Sequence, residues 1–310
     1  MITAIENLQA NRNGNASDDG ETRVSAANTL PVRPTLVLGG TGKTGRRVVE
    51  RLIGRGHPVR VGSRSGKPPF DWEDRVTWEP ALSGAGSVYL TYYPDLAVPG
   101  AVDAVRSLVD LAVARGVQRL VLLSGRGEDE AQRAEEVVQT SGVDWTIVRS
   151  SWFNQNFSEN YLRDPVLDGE VVLPAGGVRE PFIDADDIAD VAVAALTEEG
   201  HAGHVYEVTG PRLLTFADAV AEIAAATGRE IRYVQVSPEQ YASALTEHGV
   251  PAEFVWLVNY LFTTVLDGRN AHKADGVQRA LGREPRDFSD YARDAAAAGV
   301  WDVRALVGDR

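Results

Sequence analysis

The feature that most constrains the fold is the stretch Gly39-Gly40-Thr41-Gly42-Lys43-Thr44-Gly45, which directly follows the apolar run Thr35-Leu36-Val37-Leu38. A short continuous apolar run closed by glycines has the pattern of a buried parallel strand. Beyond the glycines, Val48, Val49, Leu52 and Ile53 recur at helical spacing, so an amphipathic helix is expected over residues 42–55. A glycine turn between strand and helix has two nucleotide-binding readings. A Walker A loop needs a glycine five positions before the Gly42-Lys43 pair, and that position is Val37, inside the strand. The spacing of Gly39, Gly42 and Gly45 instead fits a dinucleotide loop. The first glycine permits the tight turn, the second lets backbone approach a diphosphate, and the third lets helix pack close on strand. The free N–H groups of the helix N-terminus then face the diphosphate. Gly39, Thr41, Gly42, Lys43, Thr44 and Gly45 are therefore the expected diphosphate residues.

The next strand, Val59-Arg60-Val61-Gly62, decides which dinucleotide. An NAD site usually carries an acid at its end, bonded to the ribose hydroxyls. Here Gly62-Ser63-Arg64 and then Lys67 follow, with no acid before Asp71. Guanidinium and ammonium groups pair with a 2′-phosphate, so Ser63, Arg64 and Lys67 point to NADP(H) as cofactor.

Strand and helix patterns then alternate. Residues 88–91, 119–123 and 145–148 read as strands, and 101–115 and 131–141 as helices, the latter two closed by Gly116 and Gly142. Such alternation implies a parallel sheet covered on both faces, and right-handed crossovers make it doubly wound and Rossmann-like. After about residue 150 the rhythm changes: helices are expected over 187–196 and 216–227 and strands over 205–208 and 231–234, with Thr215 as an N-cap. From Pro238 onward the pattern is mostly helical. The expected organisation is a polar, disordered leader over 1–33, an NADP-binding core over 34–150, and remaining sheet elements with a small, mostly helical substrate-side lobe over 151–310.

Composition excludes several classes. Asp+Glu number 44 against Lys+Arg 31, a net charge of −13 that disfavours nucleic acid and anionic membrane as partners. No run of about 18 apolar residues suits a spanning helix, and no basic start with an apolar core suggests a secretory signal, so a cytoplasmic location is expected. Cysteine is absent, which removes disulfides and thiolate chemistry.

The glycine loop, Arg64, Leu123-Ser124-Gly125, the run 145–157 (Trp145 to Phe157), Pro181-Phe182-Ile183-Asp184-Ala185-Asp186-Asp187, Tyr206-Glu207-Val208-Thr209-Gly210-Pro211 and Leu281-Gly282-Arg283-Glu284-Pro285 occur in an order that resembles the NmrA-like branch of the atypical short-chain dehydrogenases. The resemblance covers about residues 35–305. It implies an NADP-binding fold with a small C-terminal lobe, and an activity among reductases, quinone and azo-dye reductases, or redox-sensing regulators without turnover. Some similar proteins serve aromatic polyketide pathways as reductase partners of a separate oxygenase. The resemblance places Ser124 at the family's polar strand-end position, and sets the turn Thr91-Tyr92-Tyr93-Pro94 against the cofactor's ribose and nicotinamide.

One departure matters most. Ordinary short-chain dehydrogenases use Tyr-x-x-x-Lys, whose lysine lowers the tyrosine pKa for proton transfer. Lysine occurs here only at 43, 67 and 273, and the residues four earlier are Gly39, Ser63 and Arg269. Ketone reduction by that pair is therefore not expected. A quinone or related aromatic acceptor fits, because hydride addition to its electron-poor ring leaves a weakly basic oxyanion. Trp152 and Phe153 are the expected stacking surface, with Tyr92 beside them, and Ser124, Asn154 and Asn156 the expected polar groups at the reacting carbonyl. Two other readings remain at this stage. One is a protein that binds NADP(H) without turnover; the other is a ketoreductase whose donor is Ser124 or Tyr92.

Other signals have plainer readings. Asp184, Asp186 and Asp187 precede a helix, where acids favour its positive end rather than a metal. His201 and His204 sit among glycines with no third imidazole nearby, so no metal is expected. Glu135 and Glu136 read as a solvated acidic face. Trp256, Leu257, Tyr260, Leu261, Phe262 and Val265 form an apolar face that suits core, substrate wall or dimer contact.

Overall fold

The structure, a computed structural model, describes residues 33–303. The leader expected over 1–33 lies outside these residues except for Arg33, which is pinned: its guanidinium donates to the carbonyls of Ala85 at 2.6 Å and Gly116 at 2.8 Å.

Among the described residues eight strands are present: β1 (Thr35–Leu38), β2 (Val59–Gly62), β3 (Ser87–Leu90), β4 (Arg119–Gly125), β5 (Asp144–Ser150), β6 (Glu170–Leu173), β7 (His204–Val208) and β8 (Arg232–Gln235). Six form one parallel sheet in the order β2-β1-β3-β4-β5-β7. The chain runs from β1 outward to β2, then returns across β1 to β3. The crevice beyond the carboxyl ends of β1 and β3 is thus the switch point, where α/β sheets place ligands. Strands β6 and β8 pair parallel in a separate small sheet. Val171 and Leu173 of β6 are buried and Glu170 and Val172 half-buried, while no residue of β8 is fully buried.

Twelve helices follow in chain order: α1 (Lys43–Gly54), α2 (Trp78–Leu82), α3 (Ala101–Ala114), α4 (Asp129–Gln139), α5 (Asn156–Glu159), α6 (Arg163–Asp168), α7 (Ala185–Thr197), α8 (Phe216–Thr227), α9 (Pro238–Glu247), α10 (Ala252–Tyr260), α11 (Gly276–Leu281) and α12 (Phe288–Ala297). A π-helical turn, Leu261–Val265, continues α10.

Side-chain alternation along the buried strands divides the core. Leu36 and Leu38 of β1 pack with Val88 and Leu90 of β3 toward α3 and α4. Val37 and Tyr89, between them, point the other way, onto Val48 and Leu52 of α1 and Ile188 and Ala192 of α7. Each such fully buried aliphatic side chain is worth roughly 1.5–3 kcal/mol. A third cluster holds the C-terminal lobe together through Phe157, Phe182, Phe216, Phe288 and Trp301. Helix α8 opens with a capping box: Thr215 Oγ1 accepts from the Asp218 N–H at 3.0 Å, and Asp218 Oδ2 from the Thr215 N–H at 2.9 Å.

The three acids at the start of α7 divide their labour. Asp184 caps the helix, accepting from the Asp186 N–H at 2.8 Å. Asp186 and Asp187 do more than favour the helix end. Asp186 pairs with Arg51 at 2.6 Å and Arg47 at 3.2 Å, tying α7 to α1, and Asp187 pairs with Arg283 at 2.7 Å and with Arg286. His201 Nδ1 meets the Tyr206 hydroxyl at 2.9 Å, and the His204 ring stacks on Tyr206.

Candidate active site

The cofactor end is built by the β1–α1 turn. Gly39 adopts φ +61°, and its carbonyl accepts from the Gly42 N–H at 2.8 Å. A Cβ on Gly45 would fall inside the Gly39 carbonyl, so the helix approaches the strand as closely as only glycine allows. No side chain caps α1 at Gly42, which leaves its first-turn N–H groups for an anion. Thr91, at the end of β3, donates from Oγ1 to the Leu38 carbonyl at 3.1 Å. This cradle fits a dinucleotide diphosphate. Gly39, Gly42, Lys43, Thr44 and Thr91 line the adjoining cavity, whereas Thr41 is exposed and lies outside its wall.

At the end of β2 the backbone turns tightly: the Gly66 and Phe70 N–H groups both donate to the Ser63 carbonyl, at 2.9 and 2.8 Å. This presents Arg64 and Lys67 as exposed side chains, and no ion pair or hydrogen bond engages either among the described residues. Two cations with no ion pair among the described residues thus stand just beyond the end of β2, outside the cavity itself.

The cavity, of about 580 Å³, runs from the glycine loop to the C-terminal lobe. Lys43 enters it from α1; its Nζ donates to Asn156 Oδ1 at 2.5 Å and lies 5.4 Å from the centre of the Phe153 ring. Burial pulls the Lys43 ammonium down to about 8. Trp152 forms part of the wall and is held by Phe216 and Phe262, with ring centres 5.2 and 5.0 Å away. Tyr92 lines it from the β3 end and packs on Trp72 at 4.7 Å.

Two expected polar groups are placed differently. Asn154 is fully buried outside the cavity. Its backbone N–H is fixed to the Ile183 carbonyl at 2.8 Å, which turns the side chain into the protein. Ser124 does reach the cavity floor, but its hydroxyl donates to Glu135 Oε1 at 2.6 Å. Glu135 is consequently no solvated acid. It is 1% exposed and receives Arg149 at 2.5 and 2.9 Å. Arg149 continues to Glu207 at 2.8 Å, and Glu207 to Arg126 at 3.5 Å.

The apolar face of the C-terminal lobe separates by role. Leu257, Leu261 and Val265 line the cavity, Phe262 is core, and Trp256 stacks exposed on Tyr260. Tyr241, Leu245 and Phe254 of α9 and α10 complete that wall. Sequence reasoning missed these, as it missed two carboxyl groups that line the same cavity, Asp95 and Glu128. A feature that signalled the wall residues is the cluster of aromatics among aliphatics in 241–262. Nothing local signalled the acids.

A family model described as NAD(P)H-binding matches residues 39–199, from the glycine loop through α7. The chain belongs to that NAD(P)H-binding family. Within it, the chain is an NAD(P)H-dependent oxidoreductase, and it shares its fold with NmrA, a negative transcriptional regulator in complex with NAD, at TM-score 0.64 and 17% identity, covering 86% of this chain and 96% of that one. The NAD(P)H azoreductase of Xenophilus azovorans is 32% identical over 284 residues, covering 85% of this chain and 98% of that protein. The agroclavine dehydrogenase of Claviceps fusiformis is 32% identical over 292 residues, 87% and 99% respectively. The fold is shared with the NADPH-dependent quinone oxidoreductase of Escherichia coli complexed with NADPH, at TM-score 0.71 and 21% identity, covering 84% of this chain and 99% of that one.

Proposed function

We propose that this protein uses NADPH in preference to NADH to reduce a flat aromatic acceptor, a quinone or a related polyketide-type compound. The observation that carries the reading is the single cavity joining the glycine loop to a wall of aromatic and aliphatic side chains. The loop 39–45, with Thr91, would hold the diphosphate and ribose, and the unpaired Arg64 and Lys67, with Ser63, would take a 2′-phosphate. When bound, the reduced nicotinamide supplies hydride. Trp152, Phe153 and Tyr92 would orient the acceptor ring over it, with Phe254 and Leu257 covering the far side and excluding water. Lys43 and Asn156 are close enough to the same space to hold polar atoms of either ligand. The azoreductase relative supports an aromatic acceptor, because its named substrate class is also planar and electron-poor.

The same reading includes a cytoplasmic setting, where NADPH is supplied, and coupling to a separate oxygenase that would consume the reduced aromatic. Placing a charge on the wall tests the acceptor site. Phe254→Asp should raise the KM for menadione on the order of tenfold while leaving NADPH affinity unchanged. An unchanged KM would remove this wall from the substrate site.

A further inference from the structure

The reduction needs a proton as well as a hydride, and the tyrosine–lysine donor of ordinary short-chain dehydrogenases is absent from this sequence. The hydroxyl of Ser124 is committed to Glu135. Two carboxyl groups, however, line the same cavity as Trp152. Glu128 lies in the turn between β4 and α4; it is 7% exposed and lines the cavity. Its carboxyl folds back over Gly125, where any Cβ would collide with it, so a glycine at the end of β4 makes its seat. Asp95, in the turn after β3, lines the same cavity, and its Oδ1 accepts from the Ala97 N–H at 2.8 Å. A carboxyl buried to this degree with no ion pair among the described residues is held in its protonated form, because burial disfavours the charged one.

Resting on the reductase reading above, we propose that Glu128 is the catalytic acid of this enzyme and that Asp95 is the residue that keeps it protonated. In the reduction, the nicotinamide C–H bond breaks and its electron pair forms the new bond to the acceptor. The electrons displaced onto the acceptor oxygen take the proton of Glu128, forming O–H, and the Glu128 carboxylate is then reprotonated from solvent by way of Asp95. The sum is NADPH, a proton and the acceptor giving NADP⁺ and the two-electron-reduced acceptor.

The surroundings hold that proton in place. Burial raises the Glu128 carboxyl well above the ordinary range, and the negative charges of Asp95, Glu130 and Glu135 add to it. Burial likewise raises Asp95. The Tyr260 hydroxyl, from α10, donates to Glu130 at 3.1 Å rather than to Glu128. The cations on this side are engaged elsewhere: Arg126 with Glu207 and the His272 carbonyl, and Arg269 with Asp267 and the Gly127 carbonyl. Among the described residues no ion pair discharges either member of the pair. The pair is also more than a collection of acids, because it faces the one cavity that the glycine loop opens into.

The test compares the full-length enzyme with Glu128→Gln and Asp95→Asn, using menadione as acceptor. Glu128→Gln should bind NADPH within about twofold of wild type. It should lose kcat by about a hundredfold, the low end for a general acid, because the hydroquinone oxyanion is a weak base. The alkaline fall of the wild-type kcat profile should vanish with it. Asp95→Asn should keep that fall but move it to lower pH, since the raising charge is gone. Infrared spectra of the enzyme without ligand should show a protonated-carboxyl C=O band at neutral pH that Glu128→Gln lacks. A Glu128→Gln enzyme with wild-type kcat and pH profile would overturn the proton donor and leave the reductase reading intact. A wild type that reduces neither menadione nor an azo dye would overturn both.

Discussion

Lys43 Nζ, in the first turn of α1, donates to Asn156 Oδ1, in the first turn of α5, at 2.5 Å. One hydrogen bond thus connects the glycine-loop end of the cavity to the segment that follows β5 on its wall. The two residues are 113 positions apart, and the contact exists because β1 and β5 end on the same edge of one parallel sheet.

Lys43 is buried enough to be pulled down to about 8 from 10.5. Between those pH values the unfolded chain binds a proton that the native state has shed, so this residue makes stability rise with pH there. A diphosphate beside the ammonium favours its charged form. NADPH binding at pH 9 should therefore take up a proton, read by calorimetry as a dependence of the apparent heat on buffer ionisation. Lys43→Met should abolish that uptake and weaken NADPH several-fold.

The proposed NADPH preference rests on Arg64. Arg64→Glu should lower NADPH affinity on the order of 10- to 100-fold, since a charge-assisted bond becomes a repulsion. NADH affinity should change by less than about threefold. Equal losses in fluorescence titrations with the two dinucleotides would sink the 2′-phosphate assignment.

Glu135 holds both Ser124 and Arg149 from a position 1% exposed to solvent. Removing it strands a guanidinium and a buried hydroxyl. Glu135→Ala should cost about 3 kcal/mol or more in denaturant unfolding, and Glu135→Gln distinctly less, because the amide keeps one acceptor for the pair.

Glu180 is fully buried, and its carboxyl oxygens have no hydrogen-bond partner among the described residues. Burial raises it from 4.5 to about 7, against the pull of Arg126. The native state therefore holds a proton between those values that the unfolded chain has lost. Its stabilising contribution is full below pH 4.5 and disappears as pH rises through 7, a span of up to about 3 kcal/mol. Glu180→Gln stays neutral throughout, so it should unfold later than wild type at pH 8 and show a flatter profile. A variant no more stable at pH 8 would contradict the buried proton.

What was legible in the sequence was local. The run Thr35–Leu38 with its glycines, the helical spacing after Gly42, and Thr215 with Asp218 three residues on each carry their own explanation within a dozen residues. The misread residues take their roles from distant partners. Glu135 looked solvated because Arg149, which buries it, lies on a strand 14 positions away. Asp186 looked like a simple helix-end charge because Arg47 and Arg51 come from the opposite end of the domain. Asp95 and Glu128 belong to different turns and meet only because β3 and β4 are neighbours. Asn154 and Asn156 are two residues apart, yet a bridge between Phe153 and Ile183 turns one inward and leaves the other at the cavity.

The central claim is NADPH-dependent reduction of a flat aromatic acceptor. Its most direct test follows NADPH and NADH oxidation anaerobically at the reduced-nicotinamide absorbance, with naphthoquinones and anthraquinones as acceptors. The account predicts turnover with NADPH, with kcat/KM at least about tenfold above that with NADH. Tight NADPH binding with no oxidation by any of these acceptors would contradict it.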